Sequence, residues 1–280
     1  MKKSISYWSF DGGLDGAAVY SEVFKQAKAA GFDAVEPALS GAGELTPQTS
    51  KADCEKIAAA AAAAGIELSS LATGLFWDAS LTASDPAVRQ KALDIGRSLI
   101  EKAAWIGVDA VLVVPGAVDV FFNPESEVVP YDVCYERALE AIKALAPVAE
   151  EYKVRIGVEN VWNKFLLSPL EMRDFVDAVG SDYVGVYFDA GNVLLTGYPQ
   201  HWINILGKRL VRIHIKDFKL SVGTAEGFVD LLEGDVPWKD VMEALKEAGY
   251  DSYVTAEMIP YKAGLIEKTS KAMDKIFSYL

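Results

Sequence analysis

Eight short runs rich in valine and isoleucine recur along the 280 residues, each followed by a stretch with the spacing and composition of a helix. That alternation restricts the fold more than any other feature. Successive strands that point the same way need a crossover of roughly a dozen residues or more, so strands separated by helices build a parallel sheet. The spacing predicts strands near residues 4–8, 33–36, 66–72, 109–114, 154–159, 183–189, 210–216 and 252–257. Helix starts carry their own signals: Ser84-Asp85-Pro86 offers a cap and a first-turn proline, and Ser168-Pro169-Leu170-Glu171 reads as a capping box. Glycines at 31, 65, 107 and 249 stand where a helix should end before the next strand.

Eight βα units, with no linker or low-complexity stretch to divide them, predict one α/β domain over residues 1–280 with the architecture of a (β/α)8 TIM barrel. Such barrels run near ~250 residues and carry their active sites at the carboxyl ends of the strands. An open doubly wound sheet would spread its strand ends along one edge instead. The glycine-rich segment 11-DGGLDG matches neither G-x-G-x-x-G nor a P-loop and reads as an ordinary loop.

Strand parity then selects a site. In 154-VRIGVE, Val154, Ile156 and Val158 face one way and Arg155, Gly157 and Glu159 the other, because side chains alternate along a strand. The same count opposes Asp189 to Val184, Val186 and Phe188, His214 to Val211, Ile213 and Ile215, and Glu257 to Val254, Ala256 and Met258. In a barrel, Glu159, Asp189, His214 and Glu257 therefore converge inside one mouth. Three carboxylates and an imidazole suit one divalent cation, with Mn²⁺ the expected ion and Mg²⁺ or Co²⁺ as alternatives. A cation held by a sugar's carbonyl and adjacent hydroxyl stabilises an enediolate, and two glutamates on opposite faces of the carbon can exchange its proton. Glu159 and Glu257 are the expected acid/base pair. Two bases give epimerisation, and one carboxylate shuttling the proton gives aldose–ketose isomerisation.

A net charge of −13 and a pI near 4.7 argue against a nucleic-acid or anionic-membrane partner. The opening MKKSISYWSF lacks the apolar core of a secretory signal, and no later stretch approaches a membrane span, so the expected location is the cytoplasm. Cys54 and Cys134 fall in expected helices, far apart in sequence, and read as packing residues.

The chain resembles the xylose-isomerase-like sugar phosphate isomerases and epimerases, a family that includes the ketose 3-epimerases. The likeness is densest in 157-GVENVWNKF, 186-VYFDAGNVL, 211-VRIHIKDF, 233-EGDVPW and 254-VTAEM, and extends to 70-SLATGLFW and 81-LTASDPAVR. It implies a metal-dependent isomerase or epimerase of a ketose or sugar phosphate. By the same likeness Glu159, Asp189, His214 and Glu257 look like the metal ligands, Glu159 and Glu257 like the catalytic pair, and a homodimer or homotetramer is implied. Where free-ketose members carry a histidine three residues past the aspartate ligand, this chain has Asn192. The family's further glutamate and arginine correspond to Phe165 or Leu166 and to Lys219 or Leu220. The reaction class is thus better supported than any one sugar. A lyase or deglycosidase acting on an oxidised sugar uses the same proton abstraction, and a non-catalytic sugar-binding barrel is a further alternative. An apurinic-site endonuclease, which shares the broad barrel family, would need many histidines for its metal cluster, and this chain has two.

Around this quartet, Trp8, Phe76, Trp77 and Trp162 fall at or just past strand ends, where flat rings can pack on a sugar. Trp8, Trp77, Trp162, Asn192 and Lys216 are the expected substrate contacts. Lys216 is expected on a substrate oxygen or paired with Asp217 or Glu36, and Arg155 and Arg212 deeper in the barrel, paired with Glu36. His201 reads as a surface or packing residue. The long segment 115–131, with adjacent Phe121 and Phe122, is expected to be a lid or a subunit contact. In the loop 219–234, Lys219, Ser221 and Thr224 are candidates for a phosphate.

Overall fold

The computed structural model describes residues 1–280. Its strands are β1 (Lys2–Ser6), β2 (Ala34–Glu36), β3 (Glu67–Leu68), β4 (Ala110–Val113), β5 (Arg155–Glu159), β6 (Val184–Asp189), β7 (Leu210–Ile215) and β8 (Tyr253–Ala256). The helices that follow them are α1 (Tyr20–Ala29), α2 (Lys51–Ala64), α3 (Pro86–Ile106), α4 (Tyr131–Tyr152), α5 (Pro169–Val179), α6 (Pro199–Leu206), α7 (Trp238–Glu247) and α8 (Leu265–Phe277). The strands form one sheet in the order β3-β2-β1-β8-β7-β6-β5-β4, and every pairing is parallel. First and last strands are therefore neighbours, as in a sheet that curls on itself. Just past β3, Leu71 N donates to Ala110 O and Leu112 N to Leu71 O, both at 3.0 Å, so the outer edges meet. No helix is long and apolar enough to cross a membrane.

The helix signals act as expected. Asp85 caps α3 by accepting from Ala87 N at 2.8 Å, with Pro86 in the first turn. Ser168 accepts from Glu171 N at 3.2 Å, while the Glu171 carboxylate reaches past it to Leu167 N at 2.9 Å. The four glycines all take positive φ, between 67° and 88°, where a side chain would be strained. In α8 the buried residues Leu265, Thr269, Met273 and Ile276 lie three or four apart, so one face of the helix packs on the sheet.

Two strands differ from expectation. The first runs over Lys2–Ser6 rather than 4–8, because Ser6 caps a 3₁₀ turn at Tyr7–Ser9 by accepting from Trp8 N at 3.3 Å. The third is not continuous over 66–72. Glu67–Leu68 pairs with β2, then Ser69 and Ser70 turn polar side chains inward and Leu71 pairs with β4. A strand that changes partners cannot keep one regular ladder.

Glycine at 157 has a packing reason. It faces the interior, and a Cβ there would lie 2.9 Å from Tyr187 Cβ and 3.2 Å from Tyr187 N. The space is filled by Tyr187, which is fully buried. Gly157→Ala is expected to destabilise the protein by ~1–3 kcal/mol through overpacking, read as a lower urea midpoint. An unchanged midpoint would mean that Tyr187 can shift freely.

Candidate metal centre

Four neighbouring strands supply the quartet. Glu159 and Asp189 end β5 and β6, His214 is the penultimate residue of β7, and Glu257 follows β8, held to the ladder by Glu257 N donating to Ile215 O at 3.1 Å. One ligand atom from each lies within 4.8 Å of the others, and all four residues are buried. Asp189 and His214 are level in the ladder. Glu159 is level with Tyr187, two residues short of Asp189, and Glu257 stands two residues beyond Thr255, the partner of His214.

The backbone beneath the site is clamped. Asn160, next to Glu159, accepts from Asp189 N and donates to Asp189 O, both at 2.9 Å, which ties the ends of β5 and β6 together. Asn192 N donates to Asp189 Oδ1 at 2.8 Å and leaves the other carboxylate oxygen facing the site. The imidazole is oriented from behind: His214 Nε2 lies 2.8 Å from Glu36 Oε1, whose carboxylate also accepts from Tyr187 and from Ser70 Oγ, the latter at 2.7 Å. A proton on Nε2 donating to Glu36 leaves Nδ1 to face Glu159 Oε1 at 3.4 Å and Glu257 Oε2 at 3.8 Å. Histidine ligands are commonly fixed this way by a carboxylate on the far nitrogen.

Three buried atoms at the centre, Asp189 Oδ2, His214 Nδ1 and Glu257 Oε2, have no aligned hydrogen-bond partner. Lys216 Nζ sits 3.3 Å from Asp189 Oδ2 and against Glu257 Oε2, so it serves the two carboxylate oxygens as an ion pair only. Orphaned buried polar atoms are costly, and here they converge. Three carboxylate oxygens and one imidazole nitrogen are a donor set that a divalent cation such as Mn²⁺ satisfies. The residues present fit a divalent cation.

The local charges are strongly coupled. Burial pushes the Glu159 carboxyl up to about 7, against the pull of His214 and aided by Glu257. Burial opposes a proton on His214, yet the facing Glu36, Glu159 and Glu257 hold its pKa well above the ordinary imidazole value. For Glu257, burial is outweighed by Lys216 and His214, and its pKa is lowered. Three acids crowded into one buried space thus demand positive charge, whether as protons, Lys216 or a metal.

Glu159 and Glu257 line a cavity of about 650 Å³, with Asp189 and His214 buried behind them. Trp8, Trp77, Trp162, Asn192 and Lys216 all line it, although the Asn192 amide is engaged with Asn160 O at 2.9 Å. Phe76 is not among the lining residues but buried in the core, since the 3₁₀ turn at Leu75–Trp77 rotates it away from the mouth. Lys216 pairs with Asp189 and Glu257 rather than with Asp217 or Glu36. Arg212 and Arg155 share Asp109 at the opposite end of the strands, where Glu36 does not reach. Asp217 instead organises the loop after β7, accepting from Leu232 N, Val236 N and Trp238 Nε1 at 2.8–3.2 Å. Lys219, Ser221 and Thr224 do not line the cavity, and Thr224 is bonded to Glu226. The segment after β4 lies at the mouth, where Phe122 packs edge-on to Trp77 and Phe121 to Trp162. His201 is exposed on α6, as expected. Glu36 is the residue that parity reasoning passed over as a site member. It closes β2 on the same inward phase, a signal identical to the one that found the other acids.

The family model for the xylose isomerase-like TIM barrel matches residues 24–277. An uncharacterized protein of Methanocaldococcus jannaschii is 25% identical over 189 residues, 65% of this chain and 61% of the relative, so the chain spans about three-fifths of that relative's length. An L-ribulose-5-phosphate 3-epimerase of Salmonella paratyphi A is 22% identical over 272 residues, 92% of this chain and 88% of the relative. The crystal structure of a D-psicose 3-epimerase with D-tagatose, from Clostridium cellulolyticum H10, superposes with a TM-score of 0.83 at 20% identity, over 100% of this chain and 99% of that one. At that identity the superposition shows a common fold and no more.

Proposed function

Since the chain belongs to the xylose isomerase-like TIM barrel family, we propose that it is a single closed (β/α)8 barrel, residues 1–280, that binds one divalent cation and epimerises or isomerises a sugar. One observation carries this reading: Glu159, Asp189, His214 and Glu257 bring a ligand atom each within 4.8 Å, at the carboxyl ends of parallel strands under an open cavity. The four would hold the ion, with Mn²⁺ expected. When bound, such an ion draws electron density from a sugar carbonyl and so acidifies the neighbouring C–H. The chain's own residues then handle the proton. Glu159 and Glu257 approach from β5 and β8, on either side of His214, so that one carboxylate can accept a proton from carbon while the other, protonated, returns one from the opposite face. Lys216, shared between Asp189 and Glu257, would hold Glu257 in place and donate to a substrate oxygen. Trp8, Trp77 and Trp162 offer apolar faces to the sugar's C–H side. Support for the sugar class comes from the related L-ribulose-5-phosphate 3-epimerase, aligned over most of this chain.

The test is to incubate Mn²⁺-loaded protein with a panel of ketoses in D₂O and follow the products by NMR. Deuterium at the carbon next to the carbonyl, appearing together with a new epimer or aldose, is the expected result. A panel that shows neither exchange nor conversion, with metal bound stoichiometrically, would remove the reading.

A further inference from the structure

The cavity over the cluster is acidic, half lined by apolar side chains, and larger than a simple sugar requires. We propose that its substrate is an unphosphorylated sugar carrying a flat apolar substituent, with the sugar over Glu159 and Glu257 and the substituent against Phe121 and Phe122. This rests on the sugar-enzyme reading above and narrows its substrate class.

Charge sets the first limit. Five carboxylates line the cavity, Glu159, Glu226, Asp230, Glu233 and Glu257, against two cations, Lys216 and Lys262. Both cations are engaged: Lys216 by Asp189 and Glu257, and Lys262 by Asp230 at 2.6 Å, which also takes Lys268 at 2.6 Å. No arginine lines the wall. A phosphate group is ordinarily held by unspent arginine or lysine, or by a helix N-terminus. The start of α8 reaches the cavity through Leu265, but its first turn already carries Glu267. Asp230 and Glu233 are themselves paired with Lys262 and Lys268, so beyond the ion itself no unspent cation in the wall faces an entering dianion, and Glu226 has no cationic partner.

Volume sets the second. A hexose has about a dozen non-hydrogen atoms, and granting each the ~30 Å³ of a liquid water still gives only ~360 Å³. The cavity offers about 650 Å³. The surplus is apolar. Fourteen of the 24 lining residues are hydrophobic, and Phe121 and Phe122 stand 46% and 55% exposed on the segment after β4. They pack edge-on to one another at 5.0 Å, and to Trp162 at 5.6 Å and Trp77 at 5.2 Å. Rings left this bare in water gain by covering a flat apolar group. Their continuity with the cavity that holds Glu159 and Glu257 makes the substrate itself the occupant.

The test measures calorimetric affinities of the metal-loaded, full-length protein for methyl and phenyl β-D-glucopyranoside, and for D-fructose and D-fructose 6-phosphate. Phenyl glucoside should bind at least tenfold tighter than methyl glucoside, and the phosphate no tighter than D-fructose. The Phe121→Ala/Phe122→Ala double variant, checked by its urea midpoint, should bring the phenyl-to-methyl ratio close to one; these exposed loop positions leave the core intact, and either single variant serves if the double does not fold. Equal affinity for the two glucosides, binding of neither, or tenfold tighter binding of the phosphate overturns the proposal. So does a double variant that keeps the phenyl preference but sediments as a smaller species, since the rings would then be covered by a second copy of the chain. Deuterium exchange on a ketose without any phenyl preference sinks this inference alone. Metal-loaded protein that binds none of the four and exchanges nothing sinks the underlying reading as well.

Discussion

Glu257→Gln is expected to lower the rate of epimer interconversion by ~10³-fold or more while the protein still takes up metal, and Glu159→Gln is expected to do the same. Glutamine keeps the shape of the side chain and a carbonyl oxygen for the ion, but it cannot accept a proton from carbon. The two variants should nonetheless differ from each other. With carboxylates on opposite faces, each variant retains one working base, so each should still wash deuterium into one of the two epimers, and the epimer should switch between variants. NMR of separately supplied epimers in D₂O reads this directly. In the metal-free protein, burial holds the Glu159 carboxyl up to about 7 while Lys216 and His214 lower that of Glu257, so the two carboxyls sit in different surroundings. If one variant keeps full interconversion and the other loses all exchange, a single carboxylate does both transfers and the two-base assignment is wrong.

His214→Ala should cost ~3–5 kcal/mol of stability in EDTA, because Glu36 is completely buried and would lose the cation that faces it. The remaining donors, Tyr187 and Ser70, are neutral. Adding Glu36→Gln to that variant should restore part of the loss, since a neutral amide needs no counter-charge. The pair is compared by urea unfolding at neutral pH. Metal supplies a second readout: at one hundred times its Kd, Mn²⁺ should stabilise the parent protein by ~2.7 kcal/mol and the His214→Ala protein by far less. If Glu36→Gln makes His214→Ala worse, the Glu36–His214 contact is a plain hydrogen bond, and the imidazole is uncharged.

Much of this site could be read along the chain because a strand's alternation is local. Counting residues back from Glu159, Asp189, His214 and Glu257 assigns each to the inward face without knowledge of any neighbour. The same count places Glu36 inward, but nothing local says that its carboxylate ends 2.8 Å from His214 Nε2, since those residues are 178 positions apart. The partners of the other charged residues were misjudged for that reason. Lys216 and Arg212 carry the right parity, yet their counter-ions, Glu257 with Asp189 for one and Asp109 for the other, depend on which strands adjoin and at what stagger. Phe76 and Trp77 are adjacent in sequence and both aromatic. Only the 3₁₀ turn between strand and helix decides that one enters the core and the other faces the cavity.

The order of strands and helices, the helix ends and the inward phase of Glu159, Asp189, His214 and Glu257 were set by the sequence alone. Each follows from interactions within a few residues: side-chain alternation, capping hydrogen bonds, and glycine's access to positive φ. Ion-pair partners, the break in β3, the seating of His214 Nε2 on Glu36 and the acidic, aromatic-rimmed cavity were decided by the tertiary structure. They depend on contacts between residues tens to hundreds of positions apart, and the register of neighbouring strands, not the order of letters, sets those distances.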